Sequence, residues 1–297
     1  MYHEPAMFFE VLEYLDIKEN GVYVDLTFGG GGHSKGILEK LGEHGKLIAF
    51  DQDPDAKSNL PEDDRLIFVP QNFRYLQKYL RVYGIKQVDG ILGDLGVSFH
   101  QFDEGNRGFS FRFDSPLDMR MSQKGKSALE WLQEVEVQEM TNAFRNWGDV
   151  NRAFQLANKI KEALAEGNLQ TTFDLKAIVE SMFGSHQSAK ILSKVFQAIR
   201  IGVNEEVDVL EEMLGQLEEV VKPDGRIVFI SYQSIEDRMV KNLIKTGNIA
   251  GELNKDFFGN VLKPFEAVTR KPIIPTPEEV ERNPRSRSAK LRAAKKR

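Results

Sequence analysis

The sequence contains no cysteine. That single absence excludes disulfide scaffolds, thiolate metal sites, cysteine nucleophiles and iron–sulfur clusters, and it fits a reducing, cytoplasmic setting. Long apolar runs are missing too: nothing approaches the roughly 20 residues of a membrane-spanning helix. The start, Met1-Tyr2-His3-Glu4-Pro5, lacks the basic stretch and apolar core of a signal peptide. A soluble protein without membrane contact is expected. Histidine is scarce, and the five residues, at 3, 33, 44, 100 and 186, show no metal-ligand spacing, so no metal site is expected.

What is present is ordinary globular composition. The chain has 297 residues, 41% hydrophobic and 29% charged, enough for about two domains. The net charge of −5 hides an asymmetry: residues 281–297 hold eight Lys or Arg against one Glu. A basic tail on an acidic body is the pattern of a chain whose end touches a polyanion; a solvated, frayed terminus is the competing reading.

The first hundred residues alternate short apolar stretches (Val22–Leu26, Leu47–Phe50, Leu66–Val69, Val88–Leu92) with amphipathic ones near Ser34–Leu41, Pro54–Asn59 and Phe73–Tyr83. Strands alternating with helices predict a parallel sheet covered on both faces. Residues 105–125 then lose periodicity, and some 75 residues of helical period follow, with Thr171-Thr172 as a cap for a helix over Phe173–Met182. The α/β pattern resumes with a helix over Glu205–Val221, a turn at Lys222-Pro223-Asp224-Gly225 and a strand over Arg226–Ser231. The expected organisation is therefore an α/β domain formed by 1–104 plus 200–297, interrupted at 105–199 by an active-site loop and a helical insertion.

The first predicted strand empties into Thr27-Phe28-Gly29-Gly30-Gly31-Gly32-His33-Ser34. Consecutive glycines between a strand and a helix let a ligand approach the backbone at the positive end of the helix. The run does not spell the dinucleotide fingerprint, because that register needs a glycine where His33 stands. Asp51, at the end of the second predicted strand, suits the two hydroxyls of a ribose, in either a nicotinamide or an S-adenosylmethionine cofactor. Asp53-Pro54 reads as a helix cap followed by proline at the first helical position. Asp94 ends the fourth strand, where ligands of open parallel sheets collect.

From there the chain becomes recognisable. VDLTFGGGGHS (24–34), FDQDP (50–54), DLGVS with QFD (94–98, 101–103), RGFSF (107–111) and PLDMRM (116–121) are followed by VFQAIRIGVNEE (195–206), GRIVFISY (225–232), SIEDRMVK (234–241) and NPRSRSAKLR (283–292). In this order and over essentially the whole chain, they resemble the RsmH/MraW family, bacterial S-adenosylmethionine-dependent enzymes that methylate N4 of a cytosine in the decoding region of 16S rRNA. The resemblance implies a Rossmann-like class I methyltransferase domain with an inserted all-helical substrate domain, and 16S rRNA as partner, within the small ribosomal subunit or an assembly intermediate.

Carried over by motif, the implied cofactor positions are Gly31, Gly32, His33, Asp51, Phe73, Asp94 and Gln101. Asp94 is also the candidate catalytic residue, since an acceptor on the amine N–H must help localise its lone pair. Arg107, Phe109, Arg112 and Arg120 are candidates for RNA contact by stacking and phosphate pairing, with loop bracing as the alternative. Arg285, Arg287, Lys290 and Arg292 would supply salt-sensitive affinity from the tail. The chain departs from the family at Tyr232-Gln233, where Phe-His is usual; a Gln cannot titrate, so no general base is expected there. The competing functions are a nicotinamide-dependent oxidoreductase, a methyltransferase for another RNA or DNA base, and a non-catalytic RNA-binding assembly factor.

Overall fold

The computed structural model describes residues 5–97 and 99–297, and the chain divides into two compact units. One unit comprises the chain up to Gly96 together with Val207–Arg297; the other is Val97–Glu206. The divisions fall at 96/97 and 206/207 rather than at the expected 104/105 and 199/200. Two helices explain the difference. Phe99–Asp103 lies within the helical unit, and the long helix that ends this unit runs unbroken to Asn204.

The first unit opens with α1 (Phe8–Leu15), β1 (Val22–Asp25), α2 (Gly32–Lys40), β2 (Lys46–Phe50), β3 (Leu66–Val69), α3 (Leu76–Val82) and β4 (Val88–Asp94). Pro54–Asn59 forms a 3-10 helix in which the Asp53 side chain accepts from the Asp55 amide and Pro54 opens the turn, as the sequence predicts. α2 begins two residues before the expected Ser34, because the last two glycines of the run lie at its N-cap and first turn. Phe73–Tyr75 is a separate 3-10 turn leading into α3.

The helical unit holds α4 (Phe99–Asp103), α5 (Ala128–Glu134), α6 (Val137–Asn146), α7 (Ala153–Ala165), α8 (Thr172–Phe183) and α9 (Ser185–Asn204). Its core is contiguous, with Leu132, Phe144, Leu156, Ile160, Leu175, Val195 and Ile199 at its centre. Side chains at the predicted 3.6-residue spacing supply it. Reciprocal capping boxes, Ser127 with Glu130 and Thr171 with Asp174, start α5 and α8.

The chain then re-enters the first unit with α10 (Glu206–Val220), β5 (Val221–Ser231), α11 (Ser234–Thr246), β6 (Phe265–Ala267), α12 (Pro277–Arg282) and β7 (Lys290–Lys296). The seven strands lie in the order β3-β2-β1-β4-β5-β7-β6. The first five are parallel, and β7 runs antiparallel to both neighbours. Leu76, Leu80, Leu214, Leu217 and Val240 cover one face of the sheet; Val11, Leu15, Ile37 and Leu38 cover the other. This is the Rossmann-like architecture that the resemblance implies. The direction of winding reverses between β1 and β4, so the carboxyl ends of those two strands border the crevice in which such folds bind ligands.

Two expectations are corrected. The turn at 222–225 lies inside β5 as an irregularity. Pairing jumps from Val88↔Val221 to Gly90↔Arg226, Asp224 takes a φ of 63°, and Lys222 pairs with Asp89 at 2.7 Å. Pro223, which has no amide to donate, sits in the skipped stretch. Second, 281–297 is no frayed tail. Six residues of β7 pair with β5 from Arg226↔Lys295 to Ser231↔Lys290, and Leu291, Ala293 and Ala294 are fully buried. Apolar residues among the basic ones place this segment in the sheet.

Candidate active site

The site is built where β1, β2, β4 and β5 end. Asp25 closes β1 and is buried, accepting from the Ser34 hydroxyl at 2.7 Å and the Thr27 amide at 3.0 Å. Burial raises its pKa, and these donors oppose the rise. Thr27 Oγ1 in turn accepts from the Asp94 amide at 2.8 Å, tying the glycine turn to the end of β4.

The turn then passes through Gly29 (φ 52°) and Gly31 (φ 76°), conformations that disfavour any residue with a Cβ. A Cβ on Gly31 would meet the Phe28 ring at 2.9 Å, and one on Gly32 would meet Pro5 at the same distance. The Gly31 amide is committed to the Phe28 carbonyl. The expected contribution of Gly31 and Gly32 is therefore compactness, which brings the free N–H groups of the first turn of α2 up to the crevice. Gly29 is different: nothing lies within 3.8 Å of where its Cβ would stand, so the ligand side of the turn is open there.

Asp51 follows β2. Its Oδ2 accepts from the Gly29 amide at 2.7 Å and its Oδ1 from the Asp53 amide at 2.8 Å. Each oxygen keeps a lone pair for a further donor. Burial pushes its pKa up to about 6 against those two bonds. Beyond β3, Asn72 Nδ2 reaches Gln52 Oε1 at 3.0 Å, and Phe73 packs half-buried against the core.

His33 lies in the first turn of α2 with 5% of its surface exposed. Its Nε2 stands 3.0 Å from the Ala6 carbonyl, and its ring stacks beside Phe8. Its Nδ1 stands 3.8 Å from Asp94 Oδ2. Burial lowers its pKa to about 4, so the ring is neutral near pH 7. Among the described residues, no cluster of His, Asp or Glu is suited to a metal ion.

Asp94 is a third carboxyl of the site held above the usual carboxylate range, with Asp25 and Asp51. Burial pushes its pKa up to about 7; the hydrogen-bonding Tyr232 hydroxyl opposes the rise, and the charges of Asp25 and Glu236 add to it. Its side chain is 24% exposed, yet Oδ1 is buried with no hydrogen-bond partner. Tyr232, at the end of β5, is a site residue that the sequence reading did not select. The only signal was its hydroxyl in a position where the family usually has phenylalanine. Next to it, Gln233 stands at the N-cap position of α11 without a side-chain cap bond and buries an unpartnered Oε1, while Glu236 Oε2 accepts from the amides of Tyr232 and Gln233 at 3.0 and 3.1 Å.

A nucleoside sulfonium fits these groups. Asp51 offers two oriented acceptors for vicinal hydroxyls, Gly29 leaves its side of the turn open, and the orphaned Asp94 and Gln233 oxygens lack donors that a bound molecule can supply.

The remaining predicted residues are distributed differently. Gln101 is buried in α4 of the helical unit. Ser98, the last residue of the DLGVS motif, lies outside the described residues. Phe109 is 4% exposed and belongs to the helical core, which corrects its assignment to RNA stacking. Arg107 donates to the Arg120 and Met121 carbonyls, and Arg120 forms a two-point pair with Asp118 at 3.0 and 2.6 Å. Both brace their own loop. Arg112 is more than half exposed, over the Phe113 ring and paired with Asp103.

At the other end, Arg292 donates to Asp237 at 2.7 and 3.2 Å with both side chains largely buried, so it holds β7 to α11 and is not available to phosphate. Lys290 and Arg285 are half-buried; Arg287 is exposed.

The whole chain, residues 1–297, matches the profile of the MraW methylase family. It is 50% identical over 297 residues to ribosomal RNA small subunit methyltransferase H of Parabacteroides distasonis, covering 99% of this chain and 97% of that one. The enzyme of the same name from Bacteroides thetaiotaomicron is 49% identical over 296 residues, with the same coverage. A solved rRNA methylase from Streptococcus thermophilus covers all of this chain and 99% of its own at 10% identity and a TM-score of 0.44, a likeness too slight to add to the sheet order.

Proposed function

Because the chain belongs to the MraW methylase family and uses S-adenosylmethionine, we propose that it methylates N4 of a cytosine in the decoding region of 16S rRNA, with the small ribosomal subunit or an assembly intermediate as substrate. The cofactor supplies an electrophilic methyl group on a sulfonium sulfur. Asp51 would hold its ribose hydroxyls, and the open glycine turn and first turn of α2 its methionine portion.

The observation that carries the chemical reading is the state of Asp94. An exocyclic amine delocalises its lone pair into the ring, so it attacks a methyl group well only as its N–H is drawn off. In the reaction, the N4–methyl bond forms as the sulfur–methyl bond breaks, and one N4 proton must leave. A carboxyl whose pKa lies about 7 is half ionised at neutral pH, and its carboxylate accepts that proton at little cost. Tyr232 orients and steadies the carboxylate, and the neutral ring of His33 borders it without neutralising it. Gln233 takes no proton.

The test is incubation with methyl-labelled S-adenosylmethionine and unmethylated small subunits, with naked 16S rRNA in parallel, followed by nucleoside analysis. Label in N4-methylcytidine at one site is the expected result. Label in another nucleoside, or none despite cofactor binding, overturns the assignment.

A further inference from the structure

In the helical unit, charge is sorted along the chain. Residues 97–149 carry nine Asp or Glu against six Lys or Arg, whereas residues 150–200 carry seven Lys or Arg against four acids. The basic half is not spread evenly over its helices. The turn before α7, the end of α8 and residues 190–194 of α9 enclose an open groove of about 700 Å³ lined by Arg152, Lys190 and Lys194 together with Asp149, Val150, Met182, Phe183 and Ile191. A second hollow of about 410 Å³ shares Arg152 and Met182 with it and continues along α7 past Lys159.

The cations of this channel are held in place. Arg152 Nη1 donates to the Met182 carbonyl at 2.9 Å while its guanidinium lies 5.6 Å over the Phe183 ring. Lys159 Nζ donates to Ser181 Oγ at 2.8 Å, and Lys194 Nζ to the Asp149 carbonyl and carboxylate at 2.8 and 2.7 Å. Lys190 is exposed and its charge acts on the Asp149 carboxylate. Asp149 is taken up by Lys194, and Glu162 lies on the wall of the smaller hollow. Phe154, 53% exposed, stands on the rim.

Cations anchored on one side keep their other donors for a ligand and lose little side-chain freedom on binding it. A line of such cations beside an exposed aromatic ring suits a single-stranded polynucleotide, whose phosphates run along the groove while a base stacks on the ring. The floor between these cations is apolar, lined by Val150, Met182, Phe183 and Ile191, so the choice of occupant rests on the cations and the exposed ring. We propose that the Arg152–Lys159–Lys190–Lys194 groove binds the sugar-phosphate backbone of single-stranded RNA, with Phe154 stacking a base. The inference rests on the rRNA reading above only for the origin of that RNA.

The experiment uses full-length protein with bound S-adenosylmethionine and a fluorescein-labelled single-stranded RNA of about 20 nucleotides, followed by anisotropy across a salt series. The double variant Lys159→Glu/Lys190→Glu should bind about tenfold or more weakly, with its log–log salt slope shallower by about 1 to 1.5. Phe154→Ala should lose about tenfold with the slope unchanged. Arg145→Glu, an exposed charge reversal on α6, should bind like wild type. Circular dichroism and thermal unfolding should match wild type in all, which shows that the helical unit of each is folded.

Affinity of the double variant within about twofold of wild type overturns the proposal, as does an equal loss in Arg145→Glu. Failure of the wild type to methylate small subunits, with groove-dependent RNA binding intact, removes the functional reading and leaves the groove. Normal methylation and binding by the groove variants does the reverse.

Discussion

His33 Nδ1 stands 3.8 Å from Asp94 Oδ2 while the opposite ring nitrogen, Nε2, stands 3.0 Å from the Ala6 carbonyl. A carbonyl only accepts, so the ring proton of neutral His33 belongs on Nε2, and Nδ1 turns a bare lone pair toward the carboxyl. That pairing favours the protonated form of Asp94 and agrees in direction with its raised pKa. The two groups do not form an ion pair at any pH. Asp94 gives up its charge as pH falls through about 7, well before His33 takes a proton near 4.

The first prediction concerns this tautomer. Long-range proton–nitrogen correlation spectra of labelled protein at pH 7 should show His33 protonated at Nε2 alone, and neutral down to about pH 4. A histidinium signal for His33 at pH 6 would contradict the arrangement.

Stability should depend on Asp94 in a stated direction. Its folded pKa, about 7, lies above the ordinary carboxyl value of 3.8, so the folded state holds a proton that the unfolded chain has released. The contribution is fully present below pH 3.8 and is lost as pH rises through 7. Asp94→Asn keeps the shape without the charge and should stabilise cofactor-free protein at pH 8 by a few kcal/mol at most, read as a higher melting temperature. The gain should vanish near pH 4. A variant less stable than wild type at pH 8 would count against the buried-charge account.

Asp51 should govern affinity for the cofactor. Asp51→Ala removes both oriented acceptors and strands the Gly29 and Asp53 amides, so S-adenosylmethionine binding measured by calorimetry should weaken by at least tenfold, or about 1.5–3 kcal/mol. Asp51→Asn retains one acceptor and should lose less. Equal affinity in all three proteins would take the ribose away from this residue.

Arg292 should matter for folding and not for RNA. Arg292→Ala leaves Asp237 buried beside an empty space and should cost about 3–5 kcal/mol in denaturant unfolding. Arg292→Leu/Asp237→Leu should recover most of that. RNA affinity at a temperature where the single variant stays folded should match wild type; a selective loss of RNA binding with full stability would restore the tail reading.

Much of the methyltransferase unit was legible because its signals are local. Short apolar strands, the glycine run and Asp53-Pro54 each act within a few residues, and each appears in the structure near its expected place. β7 was not legible as a strand. Eight basic residues in seventeen dominate any reading by charge, while the pairing with β5 that orders them involves residues some sixty positions earlier. Phe109 was misread for a similar reason. An aromatic between arginines looks like a stacking surface until the helical core beneath it is known.

Tyr232 escaped notice because its importance lies in Asp94, which is 138 residues away in sequence and one strand away in the sheet. The partly exposed carboxyl of Asp94 could be located from the sequence, but not its burial at Oδ1 or its titration near neutrality.

The central claim is that Asp94 takes the proton released during methyl transfer, and single-turnover rates against pH test it most directly. With cofactor and small subunits saturating, the wild-type rate should rise with pH through the titration of Asp94, whose ligand-free value of about 7 the sulfonium charge lowers. Tyr232→Phe, which removes the hydroxyl holding that pKa down, should move the midpoint upward. Asp94→Asn should bind cofactor yet turn over about 10²–10⁴-fold more slowly, with that rise gone. No upward shift of the midpoint in Tyr232→Phe, or near-normal turnover by Asp94→Asn, would contradict the account.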